Sequence, residues 1–441
     1  MNRTRIVLIL TVAATAATVT LLGGVFRESS APPPAAAALG GSQSTEDFRA
    51  GFSLGGNTAG LVLQLQSTLQ ATPSDEHSWV LLGLAYEQRA RETGDPTYYT
   101  KADGALHRAL ALDPKDYLVY NGLGSLALSR HRFSDALALG QKAHDLSPTT
   151  ARNYGVIGDA LAELGRYDEA FKPFDTMARL RPSLSAYARV SYGRELIGHT
   201  DAAIAAMKLA VDAAGGEPEP TAWTHVQLGK LYFNHGQLAN AEHEFRLANV
   251  VFPHYAYGLD ALAQAEAALG HHRTAIGLER QAVEIVPLPQ YVATLGDLYR
   301  VTGQEQLARR QYALIGAIEK LLNANGVRTD LEIALFDVDH GIRLTHALDL
   351  ARIGQRERPS IDGDDVLAWA LARNGQCSAA LAYSKLALRL GTQDSLKFFH
   401  RGMIERCLGH PDVARSWFRR ALTLNPHFSV LWAPVAKRYA S

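Results

Sequence analysis

The chain has 441 residues, with 44 basic and 44 acidic side chains, so its formal net charge is zero. This balance gives no electrostatic footprint for nucleic acid and no polybasic surface for gripping a membrane. We therefore expect no nucleic-acid partner. The length suits two or three globular domains or one long array.

The N-terminus carries a membrane-length apolar run. Residues 1–5 include two arginines and form a short n-region, and residues 6–26 contain no charged side chain. About twenty apolar residues match the hydrocarbon thickness of a bilayer. The run predicts a transmembrane anchor, with a cleaved signal peptide as the alternative because Ala35–Ala38 could form a delayed cleavage site. Positive charge before the run places the rest of the chain outside the cytoplasm.

The next segment has the composition of a spacer. Residues 27–56 are rich in Pro, Ala, Gly and Ser, which predicts a disordered tether. Periodic apolar residues begin near Asn57, and Leu61, Val62, Leu65 and Leu69 share one helical face. Residues 57–74 are therefore predicted to be an N-terminal capping helix.

From residue 75 onward the sequence repeats with a period close to 34 residues. Blocks begin near 76, 117, 151, 184, 222, 256, 289, 328, 361 and 395. Each block has a first helix, a turn usually marked by glycine, and a second helix. Alanine recurs early in the second helix, as at Ala170 and Ala241, and proline often closes the block. Such hairpins cannot bury their apolar faces alone, so we expect neighbours to stack into a solenoid.

These spacings resemble those of the tetratricopeptide repeat family. The first block carries Trp79-x-x-Leu82-Gly83-x-x-Tyr86, followed by Ala and Pro at the family's offsets. The resemblance implies an all-α fold, a right-handed superhelical solenoid of about ten helix-turn-helix repeats over residues 75–428. Residues 429–441 would form a C-terminal capping helix. The eighth block lacks the Leu-Gly signature, so its boundaries are the least defined.

The motifs that could carry chemistry are weak. The glycines of Asn121–Ala127 match a dinucleotide fingerprint, but they lie inside a predicted helix and not between a strand and a helix. None of the sixteen histidines has metal-ligand spacing, and no nucleophile elbow occurs. We therefore predict no catalytic residue, no metal and no cofactor, and the chain is not expected to be an enzyme.

The two cysteines, Cys377 and Cys407, fall at the level of the inter-helix turns in neighbouring blocks. Stacking would bring them side by side, and a compartment outside the cytoplasm would permit a disulfide. Two buried free thiols are the alternative.

In the resembled family the first helices line a concave groove that takes peptide segments of other proteins. Carried over by position, this implies a groove in blocks four to six lined by Tyr192, Trp223, Lys230, Phe233, Asn234, Tyr257, Asp260 and Gln264. Aromatic anchors beside a cation and amides are typical of interface hot spots. A one-step error of register would instead send Trp223 and Phe233 into the core.

A second, mixed-charge stretch lies farther along the groove. It includes Asp339, Asp365, Trp369 and Arg373, and such mixtures are more often solvated surface. The carboxylate clamp by which some relatives hold chaperone C-termini is matched in part only by Lys230 and Asn234, so that partner is not predicted.

The sequence thus favours a membrane-tethered, extracytoplasmic, non-catalytic scaffold that binds proteins or peptides and organises a cell-envelope assembly. One alternative is a groove that binds a glycan or a small molecule. Another is a non-catalytic subunit of an envelope enzyme complex. The sequence makes no prediction of oligomeric state.

Overall fold

The structure is a computed structural model that describes residues 57–215 and 218–441, and this part of the chain contains twenty-two helices and no strand. The first is Thr58–Ala71 (α1) and the last is Trp432–Ala440 (α22). Between them lie ten hairpins: Glu76–Thr93 (α2) with Thr97–Leu112 (α3), Tyr117–Ser129 (α4) with Phe133–Leu146 (α5), Ala151–Glu163 (α6) with Tyr167–Leu180 (α7), Leu184–Leu196 (α8) with Thr200–Asp212 (α9), Pro218–Asn234 (α10) with Leu238–Val251 (α11), Ala256–Ala268 (α12) with His272–Ile285 (α13), Pro289–Val301 (α14) with Glu305–Ala324 (α15), Asp330–His340 (α16) with Leu344–Glu357 (α17), Ile361–Arg373 (α18) with Cys377–Ala387 (α19), and Ser395–Cys407 (α20) with Pro411–Leu424 (α21).

The all-α fold and the ten repeats are therefore as predicted. The starts of the fifth and eighth hairpins differ from the predicted blocks, at Pro218 instead of 222 and at Asp330 instead of 328. In the fifth, a proline occupies the first helical position, where the missing N–H costs no hydrogen bond. In the eighth, Gly341 ends the first helix in the left-handed conformation at φ 68°, and Arg343 before the second helix is left-handed as well, at φ 44°.

The turn inside each hairpin explains the recurring glycine. In the third hairpin, Gly165 has φ 70° and the Arg166 N–H donates to the Leu161 carbonyl at 2.9 Å. A positive φ favours glycine because a Cβ atom is strained there. The glycine therefore ends the first helix and aims the chain into the second.

Small residues set the distance between the paired helices. Ala170 and Ala241 are completely buried, and so are their counterparts in other hairpins. A Cβ atom on Gly158 of α6 would lie 2.5 Å from the Phe174 ring of α7. The two helices of the third hairpin thus pack at a separation that a larger residue would not allow.

The solenoid coils back on itself, so that hairpins far apart in sequence touch. Contacts between side chains and backbone join residues 192 to 197 positions apart, which is roughly five to six 34-residue repeats. The Thr392 hydroxyl donates to the Leu196 carbonyl, and the Tyr167 hydroxyl accepts from the Ile361 N–H at 2.7 Å. Successive turns of the superhelix are therefore in direct contact.

Turn glycines lie at this contact as well. Gly165 faces the Pro359 carbonyl, Gly198 the Gly391 carbonyl and Gly236 the Leu424 carbonyl. Arg358 adds an ion pair with Glu163 across the same boundary. The described residues belong to a single compact unit, and the contacts at this boundary join its successive superhelical turns.

The predicted segments 1–5, 6–26 and 27–56 lie outside the described residues. Within 57–215 and 218–441, no helix has the length and apolar character needed to cross a bilayer.

Candidate functional site

A cavity of about 550 Å³ lies on the concave side of the first superhelical turn, and we call it the lumen cavity. Of the eight predicted groove residues, Tyr192, Trp223, Lys230 and Asn234 line it. Its other walls come from the first, third and fourth hairpins. Residues of four hairpins line the cavity, and it stays partly open to solvent.

One wall of the lumen cavity is apolar and is centred on Trp223. The indole is partly buried against a core cluster that contains Met207 and Leu231, and Leu184 completes the surface. The ring thus packs on the core on one side and lines the cavity on the other. Such a ring offers large apolar area to a partner at low entropy cost.

Polar groups lie about two and three helical turns farther along α10 than Trp223. Lys230 and Asn234 lie on the same helical face, and Asn234 Nδ2 is 3.5 Å from Glu195 Oε1. Burial raises the pKa of Glu195. Within the described part of the chain, the Lys230 ammonium makes no hydrogen bond and no ion pair. It lines the cavity and is accessible to solvent there.

The opposite wall comes from the first hairpin. Gln88 Nε2 donates to Glu219 Oε2 at 3.0 Å, and the Tyr255 hydroxyl donates to the other oxygen at 3.0 Å. Arg91 Nε donates to Gln88 Oε1 at 3.0 Å and also lines the cavity. This buried bridge joins α2 to the start of α10 and closes the circumference of the lumen cavity.

An ion pair lies between the third and fourth hairpins. Arg189 donates from Nε and Nη2 to the two carboxylate oxygens of Asp159, at 2.6–3.0 Å. This bidentate pairing neutralises both side chains within the cavity wall.

A second cavity of about 280 Å³, here the side cavity, shares Lys230 and Asn234 with the first. Three more predicted residues, Phe233, Asp260 and Gln264, line it, together with Phe428 from the end of the chain. The predicted groove residues are thus divided between two adjoining spaces, with Lys230 and Asn234 between them.

Under the side cavity lies a buried pair of carboxyl groups, Asp260 on α12 and Glu279 on α13. Burial raises the pKa of Asp260 to about 6, although Lys230 and Gln264 favour its ionised form. Burial and the Asp260 charge raise the pKa of Glu279 well above its ordinary value. Glu279 is fully buried and neither of its oxygens accepts a hydrogen bond, which fits a protonated group that donates to Asp260.

Tyr257 is the predicted groove residue that lines neither cavity. Its ring packs against Tyr255 at 5.4 Å and edge-on against Tyr291 at 6.0 Å between centroids. Burial raises its pKa to about 12. Tyr257 therefore does not lie where the family position implied. It packs between hairpins, against the rings of Tyr255 and Tyr291.

Sequence reasoning missed the wall residues Gln88, Arg91, Asp159, Arg189 and Glu219. They belong to hairpins one, three, four and five, and they meet because the superhelix brings α2 against the start of α10, 131 residues later. Nothing in a 34-residue period gives the number of repeats per turn, so no signal in the sequence could have assembled this set.

The two cysteines lie together at the surface near the C-terminal end. Their Cα atoms are 5.8 Å apart and their sulfur atoms are within bonding distance. This separation lies in the range of disulfides. Whether the thiols are oxidised in the protein stays a prediction that a mass measurement tests.

Comparison with known proteins gives matches over part of the chain. The tetratricopeptide repeat family model matches residues 98–151. The Hsp70-Hsp90 organizing protein of Triticum aestivum is 33% identical over 85 residues, which is 19% of this chain and 15% of that protein. The STIP1 homolog of Dictyostelium discoideum is 29% identical over 85 residues, with the same shares.

Solved structures resemble the chain at low identity. The human IFIT1 dimer with PPP-AAAA has 14% identity and a TM-score of 0.47, covering 85% of this chain and 88% of that chain. YrrB, described as a TPR protein with an unusual peptide-binding site, has 20% identity and a TM-score of 0.29, covering 42% and 95%. The tetratricopeptide repeat match thus lies in the first and second hairpins, and the other eight helical hairpins follow in the same order.

Proposed function

We propose that the protein is a non-catalytic scaffold that binds a polypeptide partner in the lumen cavity. Tetratricopeptide repeat proteins serve as protein-binding scaffolds, which agrees with this role. The observation that carries the proposal is the lumen cavity, in which Trp223 lines one wall and Lys230 lies two helical turns farther along the same helix. An aromatic anchor with adjacent polar groups is the usual composition of an interface hot spot.

The lumen cavity suits a short segment better than a long one. Its volume lies within the range of about 300–1,000 Å³ found for ligand pockets. The Gln88–Glu219 bridge and the contacts between turns close its sides. A bound segment therefore enters along the superhelix axis, with an apolar side chain on Trp223 and its backbone within reach of Lys230, Asn234 and Gln227.

Photo-crosslinking tests this function in the cell. A photoreactive residue at Gln227 or Asn234, both in the cavity wall, is expected to capture one protein. The matched control places the same residue at Lys208, which is exposed on the second helix of the fourth hairpin. Capture by the cavity probes and not by the control supports the proposal. Equal capture at all three positions would contradict it.

A second candidate is a glycan or small molecule, because the volume of the lumen cavity lies in the range of ligand pockets. Trp223 could stack on a sugar ring, with the amides of Gln227 and Asn234 on its hydroxyl groups. A glycan array with the unsubstituted protein and Trp223→Ala separates the two. A signal that the substitution abolishes would select the glycan.

We also propose that the array is held outside the cytoplasm by the segment 6–26 and belongs to a cell-envelope assembly. The charge pattern of residues 1–26 and the adjacent cysteine pair support this location. Membrane fractionation with an alkaline carbonate wash tests the anchor. Release of the full-length chain by the wash would contradict it.

A further inference from the structure

The last residues of the chain do not only cap the tenth hairpin. Residues 425–431 are non-helical, and together with Trp432 they contact hairpins five to eight. Asn425 Nδ2 donates to the Phe233 carbonyl at 2.8 Å, 192 residues away. Asn425 Oδ1 accepts from the His427 N–H at 2.8 Å, which holds a turn at the start of the segment.

Two apolar side chains of this segment contact hairpins five to seven. Phe428 lines the side cavity beside Phe233 and Gln264. Val430 packs on a cluster that includes Ala267 and Leu298. The segment therefore covers part of the surface that the sequence assigned to a partner.

Trp432 makes the farthest contact. Its indole N–H donates to Asp339 Oδ1 at 3.1 Å, and the same oxygen accepts from the Trp369 indole at 2.8 Å. The two indoles meet edge-on at 6.0 Å between centroids. Asp339 and Trp369 were expected in a solvated stretch of the groove. The chain's own end covers them instead.

The packing beside this segment is incomplete. The side cavity lies on one side of Phe428, and a space of about 250 Å³ lies beside His427, Ser429 and Val430. Both spaces are open to solvent, so the edges of the segment are accessible to an incoming chain.

We infer that the concave surface of hairpins five to eight is a second polypeptide site, occupied here by residues 425–432 of the same chain. The segment shows the chemistry that this site recognises. It is a short stretch of turns with a side-chain amide that binds backbone, a Phe in the side cavity and a Trp four residues later on Asp339. A partner segment of the same pattern competes with residues 425–432. The inference rests on the proposed function, since it takes the partners of the array to be polypeptides.

The test supplies the segment as a separate molecule. A fluorescein-labelled synthetic peptide of residues 425–441 is titrated by fluorescence polarisation into the full chain and into a full-chain double variant, Phe428→Ala with Trp432→Ala. A tethered occupant acts at an effective concentration in the millimolar range, so the unsubstituted chain excludes the peptide. We expect the double variant to bind the peptide at least tenfold more tightly than the unsubstituted chain.

Matched substitutions on the receiving surface identify the site. Adding Asp339→Ala to the double variant is expected to weaken peptide binding at least tenfold. Adding Asp349→Ala, an exposed aspartate on the second helix of the same hairpin, should leave binding unchanged. If both substitutions have the same effect, or if the double variant retains its helical circular dichroism and does not bind, the inference is wrong.

Trp432 also packs on the tenth hairpin through Phe399, so the double variant could lose that hairpin. A second receptor, Asn425→Ala with Trp432→Phe, keeps the ring and removes the two polar contacts. It is expected to bind the peptide more tightly than the unsubstituted chain, and equal binding would overturn the inference. Failure here leaves the lumen proposal intact, because crosslinking from Gln227 does not depend on Asp339.

Discussion

Gly198→Ala is expected to destabilise the protein far more than the same change at Gly270. The two glycines occupy the same place in their hairpins, with φ 75° and 84°. Alanine in this left-handed conformation costs about 1–2 kcal/mol at either position. The difference lies in what surrounds them. A Cβ atom on Gly198 would lie 2.5 Å from the Gly391 carbonyl oxygen, while one on Gly270 would meet no atom within 4 Å.

The structure sets the size of the additional cost. Contacts of Cβ atoms below 3.0 Å do not occur in practice, so the two superhelical turns must separate by about half an ångström or more at this point. Overpacking of this kind costs about 1–3 kcal/mol. The neighbouring buried hydrogen bond from Thr392 to the Leu196 carbonyl is weakened too, for about 1 kcal/mol more. We therefore expect Gly198→Ala to lose about 2–4 kcal/mol beyond the loss at Gly270→Ala.

Urea unfolding followed by circular dichroism measures this difference, and hydrogen exchange locates it. Exchange should increase at residues 196–200 and 391–395 in Gly198→Ala and stay near the unsubstituted rate there in Gly270→Ala. Equal losses of stability in the two variants would mean that the turns do not touch, and the reasoning about the closed superhelix would fail.

Three further predictions follow from packing, titration and oxidation. Ala170→Leu should overpack the seam between the helices of the third hairpin and cost about 1–3 kcal/mol, so an unchanged thermal melt would contradict the packing. Glu279 has a pKa raised well above its ordinary 4.5, so its folded form holds a proton that the unfolded form releases, and stability falls as pH rises above about 4.5. Glu279→Gln should therefore melt higher than the unsubstituted protein at pH 8 and much closer to it at pH 5, whereas Glu284→Gln, at an exposed site on the same helix, should change neither melt. The intact mass of the non-reduced protein should be two hydrogens below the mass with Cys377 and Cys407 as free thiols. Loss of this disulfide, which closes a loop of 30 residues, should lower the free energy of unfolding by about 3–4 kcal/mol.

The repeat itself could be predicted because it is a local property. A turn glycine, a small residue early in the second helix and a closing proline all act within one hairpin, and their spacing reports directly on its helices. Gly165 was assigned its turn on these grounds, and the structure has it there at φ 70°. Its second role, contact with the Pro359 carbonyl, depends on a hairpin nearly two hundred residues later.

The candidate site was predictable in part for the same reason. Lys230 and Asn234 follow from helical spacing alone, since residues four apart on one helix share a face. The Gln88–Glu219 bridge depends on the pitch of the superhelix, which is the sum of many small rotations between hairpins. The position of Tyr257 was not predicted, because its ring packs against Tyr255 and Tyr291 and the repeat spacing does not report such contacts.

Contact between successive turns changes how force and unfolding travel through the array. An open solenoid stretches like a spring, and its hairpins unfold one after another because each is coupled to its nearest neighbours alone. Here the backbone of the fourth hairpin is hydrogen-bonded to the loop between the ninth and tenth. Stretching the array must break such bonds before neighbouring superhelical turns can separate. The array is therefore stiff, and its ends unfold together. Pulled by a partner at one end, it would transmit the load to the other without lengthening.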